Sequence, residues 1–146
     1  DNYFIFGFME GEKMNKIALM EDDKIVKLSI PRGYYVFAEM STMADFNVKM
    51  MLRDAQSQKV SFEGERQSKD ALPPIRGFYQ CDYDETELHI HIEEGIDLDL
   101  RVDSTDLYDQ NEELAVRTVT AVGRDLADDK YNDFMLHLTI MRCNEL

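Results

Sequence analysis

Strict alternation of apolar and polar residues is the feature that most constrains this chain. In DFNVKMMLRDAQSQKVSFEGER, residues 45–66, Phe46, Val48, Met50 and Leu52 fall on one side. Asn47, Lys49 and Arg53 fall on the other, with Met51 as the exception. A period of two is what a half-buried β-strand imposes, because successive side chains leave opposite faces of the backbone. The polar stretch 54–58 reads as a turn, after which Val60 and Phe62 resume the inward face. The segment therefore predicts a β-hairpin.

The same pattern recurs. Leu88, Ile90 and Ile92 alternate with Glu87, His89 and His91. Ile96, Leu98, Leu100 and Val102 alternate with Asp97, Asp99, Arg101 and Asp103. Strand-like runs at 24–30 and 34–40 flank Pro31 and Gly33, and NYFIFGF at 2–8 reads as another strand. Pro73 and Pro74 make 67–74 a loop, since prolines cannot donate to a ladder. Many short strands joined by polar turns predict an antiparallel β-sandwich over residues 1–102.

Residues 103–146 change character, with no Pro, one Gly and ten acids against four bases. Ala115, Val119, Val122 and Leu126 are spaced by four, three and four; Tyr131, Phe134, Leu138 and Met141 by three, four and three. Such spacing predicts helical or coiled-coil seams. The β-branched content of VRTVTAV and HLTIM leaves two more strands open.

Composition excludes several classes. The 146 residues are 44% hydrophobic, enough for one packed domain, and carry a formal net charge of −14. That charge repels phosphate backbones and anionic bilayers, so nucleic acid and membrane surfaces are not expected partners. No apolar run reaches the length of a membrane span. The start at Asp1, with neither Met nor a signal-like segment, suggests a trimmed chain.

Candidate chemistry is sparse. His89 and His91 place two imidazoles on one strand face, a spacing that metal sites use with a third ligand such as Glu93 or His137. A solvated outer face is the simpler account of the pair. Acidic clusters at 21–23, 82–85, 97–109 and 125–133 raise a calcium site assembled from loops, although none has an EF-hand pattern. Cys81 and Cys143 either pair in an oxidising compartment or both stay free. Hydrolase, nucleotide-binding and zinc-protease motifs are absent from the sequence, which favours binding over catalysis.

The hairpin at 45–66, GFYQCD at 77–82 and ELHIHIEEG at 87–95 together resemble the GOLD domain, the lumenal β-sandwich of small cargo receptors cycling between endoplasmic reticulum and Golgi. The resemblance implies that residues 103–146 form an acidic stalk leading to a membrane helix outside this chain. It implies protein cargo or sister subunits as partners, with homo- or hetero-oligomerisation through Ala115, Val119, Val122, Leu126, Phe134, Leu138 and Met141. Cys81 would match the family's second disulfide cysteine, while Asn15 stands where the first belongs. The alternative expectation is a stand-alone secreted or cell-surface sandwich, with calcium dependence left open and further strands at its end.

Overall fold

The computed structural model describes residues 4–8, 14–17, 23–92, 96–127 and 129–143. They form eleven strands: β1 (Phe4–Phe8), β2 (Met14–Ile17), β3 (Asp23–Leu28), β4 (Tyr35–Ser41), β5 (Ala44–Asp54), β6 (Val60–Ser68), β7 (Ile75–Gln80), β8 (Thr86–Ile92), β9 (Leu98–Tyr108), β10 (Leu114–Asp125) and β11 (Phe134–Met141). Two antiparallel sheets make the sandwich, one ordered β7-β4-β11-β10-β9 and the other β3-β8-β5-β6. The hairpin β1–β2 forms a separate two-stranded sheet.

Alternation sets the core. From the five-stranded sheet, Val36, Ala38 and Met40 of β4 and Leu136, Leu138 and Ile140 of β11 point inward and are buried. Val48, Met50 and Leu52 of β5 and Leu88, Ile90 and Ile92 of β8 meet them from the four-stranded sheet. Each of these side chains larger than alanine stabilises the fold by about 1.5–3 kcal/mol on burial.

The two sides of the sandwich are closed differently. Along β6 and β7 the sheets approach so closely that a Cβ on Gly77 would lie 2.2 Å from the Phe62 ring. Only a residue without a side chain admits that approach. On the other side, edge strands β3 and β9 are tied by charge. Buried Lys24 reaches Asp97 at 3.2 Å, and Arg117 grips Asp106 while donating to the Ser29 carbonyl at 2.9 Å. Inward-pointing charges of this kind also discourage edge-to-edge aggregation.

The expectation of a sandwich followed by a helical segment is corrected here. No helix occurs among the described residues, and 103–143 supply the end of β9 together with β10 and β11. The boundary expected at 102/103 falls inside β9. Far from a stalk, β11 is the central strand of its sheet, paired with both β10 and β4. The misleading signal was the spacing: steps of four keep one strand face as well as one helix face, while steps of three cross over. Val119, Phe134 and Leu138 are thus buried, whereas Val122 and Met141 lie on the opposite, outer face. Ala115 sits near the start of β10, and Leu126 is exposed in the turn after it. The β-branched content of β10 and β11 won over the helical spacing.

Candidate functional site

Three constellations stand out, all outside the core. The first is on the outer face of the four-stranded sheet. The β3–β8 register sets Asp23 opposite His91 and Ile25 opposite His89. Asp23 spans both imidazoles: its Oδ2 lies 3.1 Å from His89 Nε2, and its Oδ1 bonds His91 Nδ1. Burial pushes the Asp23 carboxyl up, but the bonds from His91 and His89 outweigh it and hold the group below its usual range. His89 is held below the usual imidazole range, first by burial and also by the nearby Arg53 charge, against the pull of Asp23. Its Nδ1 is buried without a hydrogen-bond partner.

Sequence alone supplied His89 and His91 but missed Asp23 as the residue joining them. The third ligands considered do not join the pair: His137 lies on β11 in the other sheet, and Glu93 falls outside the described residues. No group of three His, Cys, Asp or Glu among the described residues is arranged to hold a metal ion. The acidic clusters are instead largely drawn into ion pairs and turns. Asp82 meets Lys59, Asp84 meets Arg32, Asp106 meets Arg117, and Asp109 meets Arg142. Buried Asp133 accepts the Asp125 backbone N–H at 2.7 Å and so shapes the β10–β11 turn.

The second constellation lies beside that turn. Tyr131 donates its hydroxyl to Asp99 Oδ2 at 2.6 Å, and Arg124 Nε donates to the same oxygen at 3.2 Å. Arg101 Nε reaches Asp99 Oδ1 at 3.4 Å. Both guanidinium carbons stack on the tyrosine ring, at 5.8 Å for Arg101 and 5.4 Å for Arg124. Burial raises the Asp99 carboxyl, yet bonds from Tyr131 and Arg101 bring it net below its usual range. An aromatic ring, two planar forks of donors and an ionised acceptor thus converge on one partly exposed spot. The alternation around Asp99 and Arg101 is legible in the sequence, whereas the spacing around Tyr131 predicts a helical seam.

The third is the outer face of the five-stranded sheet. Tyr35, Phe37 and Phe78 cluster there, with ring centroids 5.6 Å apart for Tyr35–Phe78 and 5.0 Å for Phe37–Phe78. Phe78 remains 59% exposed. Cys143 Sγ lies 3.4 Å from the Tyr35 hydroxyl at the rim, and buried Cys81 donates to the Tyr83 carbonyl; neither cysteine forms a disulfide.

No protein-family model matches the sequence, and no curated protein matches it significantly. Solved structures do match the fold. The C-terminal domain of the BC2L-C lectin from Burkholderia cenocepacia aligns with a TM-score of 0.64 and 13% identity, covering 80% of this chain and 96% of that one. A high-affinity mannose-binding lectin of Ralstonia solanacearum gives 0.62 and 13%, covering 77% and 93%. The Chromobacterium violaceum lectin CV2L, solved with alpha-methyl-fucoside, gives 0.59 and 12% over the same shares. The fold is therefore a β-sandwich resembling those of these bacterial lectins, and the GOLD resemblance is corrected. Short alternating strands and a hairpin are common to both kinds of sandwich, which is why the sequence pattern did not separate them.

Proposed function

We propose that this chain is a non-enzymatic recognition module for neutral carbohydrate. The observation that supports it most is the extent of the fold match: 93–96% of each lectin chain is covered, a whole binding domain rather than a shared hairpin. Fold alone does not fix function, so the reading needs a site with suitable chemistry. The Tyr131 cluster offers one. Sugars present apolar C–H faces and adjacent hydroxyl pairs, which aromatic rings and planar polar side chains recognise. Tyr131 supplies the ring, Asp99 the acceptor, and Arg101 and Arg124 the donors. Of the two readings reached from sequence, this continues the stand-alone sandwich binding module.

A thermal-shift panel of neutral sugars, including mannose and methyl fucoside, tests it. A ligand that binds only the native state must raise the melting temperature. The expected result is a rise with at least one sugar, lost in Tyr131→Ala. A panel with no shift at saturating sugar would remove the proposal.

A further inference from the structure

We propose that the outer face of the five-stranded sheet docks a second copy of this chain about a two-fold axis running along β11. This inference does not rest on the sugar reading, although Asp99, Arg101 and Arg124 of the Tyr131 cluster lie on the same face.

The face is unusual for so acidic a molecule. Its charged residues on β4, β7, β9 and β10 are Glu39, Asp99 and Asp103 against Arg76, Arg101 and Arg124, a balance in a chain of net −14. Arg76 pairs with Glu39 at 3.0 Å, and Arg101 and Arg124 with Asp99. Beyond these pairs, toward the Tyr35 end of β4, lies an exposed band of Phe78, Phe37, Met141 and Leu107, with Leu107 64% exposed. The other sheet's outer face instead carries five carboxylates, Asp23, Asp45, Glu63, Glu65 and Glu87, against Lys27, Lys49 and Arg53, with His89 and His91. Two copies of a polyanion meet with least repulsion where each is neutral.

The register supplies the complementarity. Cross-strand pairing sets the residues in rows across the sheet, from β7 to β9. One row reads Phe78, Phe37, Thr139, Thr118, Thr105, and the next Gln80, Tyr35, Met141, Val116, Leu107. A third reads Arg76, Glu39, His137, Thr120, Asp103. Because β11 is the central strand, a two-fold axis along it lays each row against its own reverse. Phe78 then faces Thr105 and Phe37 faces Thr118, so bulky rings meet short side chains. In the third row Arg76 faces Asp103, opposite charges at both ends of a symmetric contact. Aligned sheets pack about 10 Å apart with interdigitating side chains, and an isologous contact of this kind closes at a dimer. Five strands about 4.8 Å apart and seven residues about 3.3 Å each give roughly 550 Å² in projection. Side-chain relief brings this toward the roughly 800 Å² that one partner buries in a standard interface.

Sedimentation of the full chain, with and without substitutions, tests the proposal. Wild type is expected to sediment as a dimer and to associate more tightly as salt screens the net charge. Phe78→Lys, at an exposed position, is expected to weaken association by about tenfold or more while keeping the wild-type circular dichroism spectrum. Arg76→Asp and Asp103→Arg should each weaken it, and the double swap should restore it. A wild-type chain that stays monomeric at every concentration would overturn the proposal. So would a dimer indifferent to Phe78→Lys, or a double swap no better than either single variant. A monomer that loses sugar binding on Phe78→Lys would make the face a glycan platform and likewise overturn it.

Discussion

His89 commits one ring nitrogen to Asp23, 3.1 Å away, and keeps the other buried with no partner. Protonating that second nitrogen would bury an N–H with no acceptor, which fits the depressed imidazole pKa. A histidine whose folded pKa lies below its unfolded value makes the unfolded state bind more protons between the two. Stability is then full above the usual histidine range near about 6.5 and falls as pH drops through it. Asp23, also depressed, adds a second loss as pH falls below its unfolded value of about 3.9. Melting temperature recorded from about pH 8 to about pH 4 should decline through the histidine range, and His89→Leu should flatten that step. An unchanged slope in His89→Leu would rule out this assignment.

Gly77 and Phe62 define how tightly the sandwich closes along β6 and β7. A methyl group at residue 77 would overlap the ring and force it or the strand aside. Gly77→Ala is expected to cost about 1–3 kcal/mol, as overpacking does. For a chain of this size that corresponds to a melting-temperature drop of about 2–12 °C. Gly33, with φ of +93° and nothing near its Cβ position, is a different case: Gly33→Ala costs backbone strain, not a clash. An undisturbed melting curve for Gly77→Ala would show that the sheets are further apart than described.

Leu138 tests whether the last third belongs to the sandwich. It is fully buried in β11, flanked by Val119 on β10 and Ala38 on β4. Leu138→Ala is expected to destabilise the whole domain by about 2–5 kcal/mol in a single cooperative transition. A separate stalk would leave the main transition untouched. Circular dichroism of wild type should show β structure without a helical signature.

Much of the sandwich was legible because half-buried antiparallel strands write a period of two into the sequence. The β5–β6 hairpin, β8 and the start of β9 followed directly from Phe46 to Leu52, Leu88 to Ile92 and Leu98 to Val102. β10 and β11 were not, since Val119 and Val122, or Phe134, Leu138 and Met141, satisfy helical spacing as readily as a strand with two populated faces. Nor was pairing order: nothing local to Asp23 announces that β3 lies beside β8, 66 residues from His89. The Tyr131–Asp99 contact likewise joins residues 32 positions apart. Long-range register, not composition, assembles each candidate site.

Titration calorimetry of simple sugars into the purified chain tests the carbohydrate reading most directly. Mannose and methyl fucoside are the first ligands, with Tyr131→Phe and Arg101→Ala as comparisons. Saturable binding of at least one sugar is expected in wild type, weakened by about tenfold or more when Arg101 is removed, with melting curves unchanged. Tyr131→Phe keeps the ring and loses its bond to Asp99, so a smaller loss is expected there. No heat of binding for any neutral sugar, with the fold intact, would contradict the account.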